Sequence, residues 1–259
     1  MHKHDLLSPF SALLVIAILA FQPLSALAQQ PVVVELFTSE GCSSCPPADA
    51  LLTQLNRQHV AGSARLILLG EHVEYWNPLG WTDRFSSPIF TQRQNDYVKQ
   101  LHLTTAYTPQ MVIDGHLQTV GNDAAAVQRT IAEAAATPKP ASTSLRFVSP
   151  TELQVTVEDS EHVRQRVLLA ITENDLTTNV GGGENGGRVL KHSAVVRDLH
   201  TLGSTYNGKF ETTVQLPAKS NWKKQDLRAI VLVQNSASGT IVGAASIPYS
   251  LESPAVIGH

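Results

Sequence analysis

Cysteine is almost absent from this chain. Among 259 residues there are two, Cys42 and Cys45, three positions apart in the stretch ELFTSEGCSSCPPADALL. Any thiol chemistry of the protein must therefore come from this one pair. A disulfide between neighbours this close would enclose very little chain and would stabilise the fold only slightly. The spacing thus favours a chemical role over a structural one.

The chain also lacks a surplus of positive charge. It has 19 Lys and Arg against 22 Asp and Glu, a formal net charge of −3, which disfavours nucleic-acid binding. Neither G-x-S-x-G nor H-E-x-x-H occurs, so the commonest hydrolase signals are missing. Residues 181–186, GGGENG, satisfy G-x-G-x-x-G, but a predicted strand follows instead of a helix. We therefore predict a mobile glycine-rich loop there, not a nucleotide site.

Long hydrophobic runs are missing beyond the first residues. A basic opening, MHKH, precedes the apolar run Ala12 to Phe21 and the small residues SALA that end at Ala28. That run is about half the ~20 residues that a membrane span requires, and the whole pattern is typical of a secretory signal peptide. We expect cleavage near Ala28, and a secreted or periplasmic mature chain with no membrane span.

The remaining chain divides by pattern into two parts. Residues 29–137 alternate apolar strand-length runs with helical patterns in the order β-α-β-α-β-β-α. Residues 138–142 have the composition of a linker. Residues 143–259 contain short alternating runs separated by Gly, Asn, Pro and Asp, which are typical of an antiparallel β-sandwich. We predict an α/β domain followed by a β-rich domain, after a signal peptide at 1–28.

The cysteines fall between the first predicted strand and the first predicted helix. At the start of a helix, backbone N–H groups and the macrodipole would favour the thiolate of Cys42. Cys45 is close enough to resolve a mixed disulfide between Cys42 and a substrate. Farther along, Tyr107 and Thr108 precede Pro109 just before a predicted strand. A cis-proline loop in that place would expose backbone groups to an extended substrate.

These features together resemble the thioredoxin-like superfamily. The segment AYTPQMVIDG is similar to the Thr-Pro to Val-x-Asp-Gly stretch of its periplasmic members. More narrowly, GCSSCPPADALL and HVEYWNPLGWTDRFSSPIFTQRQ resemble a secreted bacterial family of unknown function. The resemblance implies a thioredoxin-like domain, Cys42 as nucleophile, Cys45 as resolving thiol and Pro109 as a cis-proline. Its implied activity is thiol–disulfide exchange with protein or small-molecule thiols and an unidentified redox partner. We expect no cofactor.

Three further residues are auxiliary candidates. Glu35 and Glu40 are the acids nearest to the cysteines in sequence, although Glu35 is offset by one residue from the buried acid of thioredoxins. Trp76 belongs to an aromatic loop, which either binds a partner or packs as a local core.

Two alternatives to the redox function stay open. The protein could be a non-enzymatic binding module on a thioredoxin scaffold, with a structural disulfide. It could also bind Cu or Zn through the cysteines and one or two of His72, His102 and His116, although the histidine spacings match no compact ligand motif.

Overall fold

The computed structural model describes residues 29–217 and 219–249, so the predicted signal peptide lies outside the described residues. The helices are α1 (Pro46–Gln58), α2 (Pro88–Gln100) and α3 (Ala124–Ala135). The strands are β1 (Gln30–Thr38), β2 (Val60–Ala61), β3 (Ala64–His72), β4 (Gln110–Ile113), β5 (Leu117–Val120), β6 (Ala141–Ser149), β7 (Glu152–Asp159), β8 (Gln165–Glu173), β9 (Leu176–Asn179), β10 (Val189–His192), β11 (Val195–Ser204), β12 (Lys209–Gln215), β13 (Leu227–Asn235) and β14 (Ile241–Pro248). No helix within these residues has the length and apolar character of a membrane span.

Helix α1 shows why the chain turns where the cysteines lie. Pro46 and Pro47 occupy its first positions, where the fixed φ of proline suits a helix and its missing N–H leaves no bond unmade. Leu51, Leu52 and Leu55 follow at helical spacing and are buried. The cysteines therefore lie in the connection between β1 and this helix.

One large mixed sheet forms the centre of the molecule. Its order is β14-β13-β8-β11-β3-β1-β4-β5, and the short β2 pairs with β3. Strand β3 is parallel to both β1 and β11, whereas the other pairs along this path are antiparallel. Separate small sheets are formed by β12-β7-β6 and by β10-β9. Strands from both ends of the chain thus meet at β3 and β11.

The large sheet is covered on both faces. On one face, α1 and α3 pack against alternate residues of β1 and β3, and the β12-β7-β6 sheet packs against β8 and β13. On the other face, Phe90 and Tyr97 of α2 pack over the opposite set of residues. Successive side chains of a strand point to opposite faces of the sheet. Since both faces are covered, the sequences of the central strands are almost continuously apolar.

The predicted fold class is wrong. The order of elements before residue 137 agrees with the sequence pattern, apart from the additional β2. Those elements do not form a thioredoxin-like domain that is followed by a separate β-sandwich, because β8, β11, β13 and β14 extend the sheet that contains β1 and β3. Periodicity identifies strands but not their partners, so the pattern could not show this pairing across the predicted linker. The domain boundaries themselves stay a prediction.

Candidate functional site

Cys42 and Cys45 form a disulfide between the end of β1 and the start of α1. Cys45 is the N-cap of α1. The Cα atoms of Cys42 and Cys45 are 5.4 Å apart. Both cysteines have an exposed fraction of 0%, whereas Ser43 and Ser44 between them are exposed. Neither sulfur contacts solvent.

The helix start does not supply the backbone donors expected for a Cys42 thiolate. Pro46 and Pro47 have no N–H, and the next two N–H groups, of Ala48 and Asp49, both donate to the carbonyl oxygen of Cys45. Cys42 Sγ instead lies 3.4 Å from the hydroxyl of Ser44. Any activation of Cys42 must therefore come from the helix dipole or from neighbouring side chains.

Trp76 connects the cysteine segment to the proline loop. Its indole Nε1 donates to Thr108 Oγ1 at 2.9 Å. Its Cβ packs against the backbone of Gly41, where an added methyl group would lie 3.2 Å from it. The structure thus brings three of the sequence-predicted residues, Cys42, Trp76 and Thr108, into one neighbourhood.

The peptide bond between Thr108 and Pro109 is cis. The Pro109 carbonyl accepts a hydrogen bond of 2.9 Å from the N–H of Gly121. A methyl group at Gly121 would lie 3.2 Å from Pro109 Cβ and 3.3 Å from Ala48 Cβ, so the proline loop packs beside the first turn of α1. Tyr107 faces β5 instead, since its hydroxyl donates a hydrogen bond to the side-chain oxygen of Gln118.

Glu35 lies in a separate group of buried side chains. It forms an ion pair with Arg93 of α2, and it accepts a hydrogen bond of 2.6 Å from the Tyr97 hydroxyl. Burial would raise the pKa of Glu35, but the charge and hydrogen bond of Arg93 outweigh it and hold this pKa below its usual range. The partners of Glu35 are thus on α2, not at the cysteines.

Glu40, by contrast, belongs to a buried polar cluster formed by Glu40, Asp49, His72, Asp83 and His192. His72 Nδ1 and Asp83 Oδ2 are 2.7 Å apart, and the rings of His72 and His192 meet edge to face at 4.9 Å between centroids. His192 Nε2 lies 3.4 Å from Glu40 Oε1, and its Nδ1 lies 4.0 Å from Asp49 Oδ2.

The buried polar cluster perturbs the ionisation of its members. Burial raises the pKa of Asp49, which lies in the first turn of α1 directly after Cys45. Burial would lower the pKa of His72, but the adjacent Asp83 carboxylate raises it overall. Burial would raise the pKa of Glu40, but its hydrogen bond with His192 contributes to a net lowering. Buried groups with shifted pKa values next to a reactive residue are typical of functional sites.

A cover formed by residues 181–187 lies over the cysteine segment. The buried side-chain amide of Asn185 donates to the carbonyl oxygens of Glu40 and Cys42, both at 2.9 Å. The carboxylate of Glu184 accepts from the N–H of Ser43 at 3.0 Å. Both side chains hold this loop against the cysteine segment, and the expectation that the loop is mobile stays a prediction.

The structure does not assemble the metal site considered as an alternative. Within residues 29–217 and 219–249, no group of three or more His, Cys, Asp or Glu side chains is arranged to hold a metal ion. The cysteines are joined to each other, and His72 is bonded to Asp83. His116 bonds the carbonyl of Asp114 at the turn before β5.

Sequence reasoning missed the part of the site that comes from the second half of the chain. His192 ends β10 and was not among the predicted site residues, and Asn185 lay in a loop predicted to be mobile. Asp49 could have been predicted from the sequence, because it is an acid on the apolar face of α1 next to Ala48 and Leu52. A charged residue on a buried helix face is rare without a partner.

Comparisons with known proteins identify the family. Residues 33–234 match the family described as a protein of unknown function, DUF1223. The chain therefore belongs to this family.

Solved structures include one with the same overall fold. The crystal structure of a protein from Agrobacterium tumefaciens, determined by a structural genomics consortium, is 30% identical, with a TM-score of 0.68 over 86% of this chain and 96% of that one. A domain of the outer membrane lipoprotein Omp28 from Porphyromonas gingivalis is 12% identical over 41% of this chain and 84% of its own, with a TM-score of 0.23, too low to support any conclusion. No curated protein matches the chain.

Proposed function

We propose that this protein is an exported thiol–disulfide oxidoreductase whose redox centre is the Cys42–Cys45 pair. The observation that carries the proposal is the setting of this disulfide. Pro109 packs with Ala48 of α1 around Gly121, and Glu40 and Asp49, which flank the cysteines in the sequence, belong to the buried polar cluster. A disulfide that closes so short a loop adds only about 2 kcal/mol of stability by the chain-entropy relation. Structural stabilisation alone is a weak reason for its presence.

The proposed reaction is a two-electron exchange. In the reduced protein, the Cys42 thiolate attacks one sulfur of a client disulfide, and the other client sulfur leaves as a thiolate. Cys45, after losing its proton, then attacks Cys42 Sγ, releases the second client thiolate and restores the Cys42–Cys45 disulfide. The client gains two electrons, and the pair loses two. The reverse sequence oxidises a client dithiol.

The surrounding residues have separate parts in this proposal. Thr108 and Pro109 form the surface for an extended client segment, and Trp76 positions Thr108 through its hydrogen bond. Tyr107 contributes to the same loop from the side of β5. Of the two acids singled out in the sequence, Glu40 is the one that belongs to the cluster behind the cysteines.

The closed cover makes one further step necessary. With both cysteines at 0% exposure, no client sulfur reaches Cys42 until the cysteine segment moves, and Asn185 and Glu184 are side chains that hold this segment in place. Loops held by a few polar contacts open locally without unfolding the whole molecule. We infer that client binding, or spontaneous opening, displaces residues 181–187 before exchange.

The test of the function is a redox titration of the purified protein in glutathione buffers. A potential between about −120 and −270 mV supports exchange, whereas a value below about −300 mV identifies a structural bond. Cys42→Ser should abolish the reduction of insulin, and unchanged turnover in this variant would exclude the enzyme. Cys45→Ser should accumulate a mixed disulfide whose client is identified by mass spectrometry.

Complete burial of both cysteines favours a second candidate. In that case the protein is a non-enzymatic interaction module, and the disulfide only fastens the start of α1. This candidate requires the low potential just described and no mixed disulfide in the Cys45→Ser variant.

Export is the remaining part of the proposal. It is supported by the signal-peptide pattern of residues 1–28 and by a disulfide that persists in an oxidising compartment. N-terminal sequencing of the protein from a periplasmic or culture fraction should begin at Gln29. An uncleaved chain recovered from the cytoplasm would contradict it.

A further inference from the structure

A groove lies on the face of the large sheet opposite α1. It has a volume of about 480 Å³ and runs between α2 and strands β8, β11 and β13. Ile89, Leu168 and Leu199 give it apolar walls. Arg93, Arg166 and Gln234 are among its polar lining residues. Small-molecule sites commonly combine apolar walls with a few convergent polar groups in this range of volume.

Two guanidinium groups converge in this groove. Gln234 Oε1 accepts from Arg166 Nη2 at 2.6 Å and from Arg93 Nη1 at 3.3 Å. Arg93 is 7% exposed, and its Nη2 also donates to the Tyr97 hydroxyl at 2.8 Å. One neutral amide oxygen thus holds two positive side chains together, although like charges repel each other strongly when they are poorly solvated.

Only one of these two charges is balanced by the protein. Arg93 is paired with Glu35 and also lies 3.5 Å from Glu71, whose pKa is raised by burial and by the neighbouring Glu35 charge. Arg166 forms no ion pair with any carboxylate of the described residues. Its Nε is also buried and lacks an acceptor within the part of the chain that the structure describes. A buried donor on an unpaired cation is costly unless an anion satisfies it.

The acids at the edge of the groove are occupied elsewhere. Asp96 accepts from Gln92 at 2.8 Å and lies 3.8 Å from Lys99. Asp198 is paired with His200, 2.7 Å away. Neither carboxylate reaches Arg166, so the positive potential at the floor stays uncompensated from the rim.

We propose that this groove binds a small organic carboxylate. The carboxylate group accepts from the guanidinium of Arg166, which lines the groove, because the planar guanidinium fork matches two carboxylate oxygens. The carbon chain lies against Leu168, Leu199 and Ile89. This site is separate from the cysteine pair, since it lies on the α2 face of the sheet, and its existence does not depend on the redox function.

The test uses the purified oxidised protein with sodium octanoate as probe, measured by titration calorimetry and by thermal unfolding. Octanamide, which has the same chain without the charge, and sulfate, which has charge without the chain, serve as matched ligand controls. Octanoate should bind and raise the unfolding temperature more than either control. Equal shifts with sulfate and octanoate, or no binding at millimolar concentration, would overturn the proposal.

Variants locate the binding on Arg166. Arg166→Gln should weaken octanoate binding about ten- to a hundredfold, the effect expected when a charge-assisted hydrogen bond is lost. Arg164→Gln changes an exposed arginine two residues earlier and should leave binding unchanged. Arg166→Lys keeps the positive charge but lacks the planar guanidinium, so it should bind octanoate with intermediate affinity. This second variant separates a loss of the binding group from misfolding of Arg166→Gln. Undiminished binding in both Arg166 variants would place the ligand elsewhere and refute the assignment.

Discussion

The side-chain amide of Asn185 donates a hydrogen bond to the carbonyl oxygen of Cys42 at 2.9 Å, although 143 residues separate them in the sequence. The same amide also bonds the Glu40 carbonyl. Because Asn185 is fully buried, these bonds do not compete with water and contribute fully to holding the cover closed. A residue from the opposite half of the chain therefore fastens the cysteine segment.

Asn185→Ala should open the cover. The change leaves two buried carbonyl groups without their donor, at a cost of about 1–3 kcal/mol. When opening precedes reaction, a cost of that size raises the population of the open form about five- to a hundredfold. The rate at which a phosphine reductant cleaves the Cys42–Cys45 disulfide should increase by the same factor. Thiol labelling and mass spectrometry measure this rate.

The matched control for this prediction is Asn179→Ala. Asn179 is exposed on β9, close in sequence to the cover but without a bond to the cysteine segment. The disulfide of the Asn179→Ala variant should be reduced at the same rate as that of the unchanged protein. If Asn185→Ala were reduced no faster than this control, the cover would not limit access to the cysteines.

The pair of His72 and Asp83 should make stability depend on pH. Burial opposes the charged form of both, yet their interaction raises the pKa of His72 above 6.5 and lowers that of Asp83 below 3.8. The contribution of His72 is complete below pH 6.5 and is lost as pH rises through its raised folded pKa. That of Asp83 is present above pH 3.8 and is lost as pH falls through its lowered folded pKa.

Asp83→Asn should therefore destabilise the protein by about 3–5 kcal/mol near pH 5.5, since it leaves a buried partner unpaired. The loss should shrink as pH rises through the raised folded pKa of His72, because the imidazole becomes neutral there. Urea unfolding over a series of pH values measures this difference. Asp198→Asn is the comparison, because the Asp198–His200 pair is partly exposed and should change stability by less than about 1 kcal/mol. A pH-independent loss in Asp83→Asn would show that His72 is not charged in the folded state.

Gly121 should be required for the packing of the proline loop against α1. A methyl group there would lie 3.0 Å from Leu36 Cδ1 and 3.2 Å from Pro109 Cβ, so one of them must shift. Gly121→Ala should cost about 1–3 kcal/mol in unfolding free energy. It should also slow exchange with a fluorescent peptide disulfide, because Pro109 moves relative to the cysteines.

Val120→Ala is a suitable control for this change. Val120 precedes Gly121 and is 46% exposed, so its truncation should alter stability by no more than about 0.5 kcal/mol. Equal stability and equal exchange rates in the two variants would mean that the loop tolerates displacement.

Local features of the site could be predicted from the sequence because they depend on neighbouring residues. The β-branched run before Cys42 indicates β1, and the prolines and leucines after Cys45 indicate α1. These two elements alone place the cysteines at a strand-to-helix connection. Such signals need no knowledge of distant partners.

The partners that complete the site could not be predicted in the same way. His192 reaches Glu40 and Asp49, and Asn185 reaches the Cys42 carbonyl. The pairing of β11 with β3 returns the second half of the chain to this part of the sheet. No periodicity encodes that pairing. The predicted fold class failed for the same reason, because the linker composition of residues 138–142 does not prevent strands on either side from joining one sheet.

Glu35 and Glu71 provide a final prediction, because two adjacent buried carboxyl groups should respond differently to the same substitution. Burial and the Glu35 charge raise the pKa of Glu71, whereas Arg93 lowers that of Glu35 against the effect of burial. Glu71 thus keeps its proton to a higher pH than Glu35, and Glu71→Gln imitates this protonated form. Its effect on unfolding in urea at pH 7 should be below about 1 kcal/mol.

Glu35→Gln should cost more than Glu71→Gln, since it removes the carboxylate that bonds Arg93 and Tyr97. Part of the loss should be recovered when Glu71, 3.5 Å from Arg93, ionises in its place. The double variant removes that recovery and should lose about 3–5 kcal/mol, the usual consequence of a buried cation without a partner. Equal effects of the two single changes would mean that the proton is shared between the carboxyl groups and not held by Glu71.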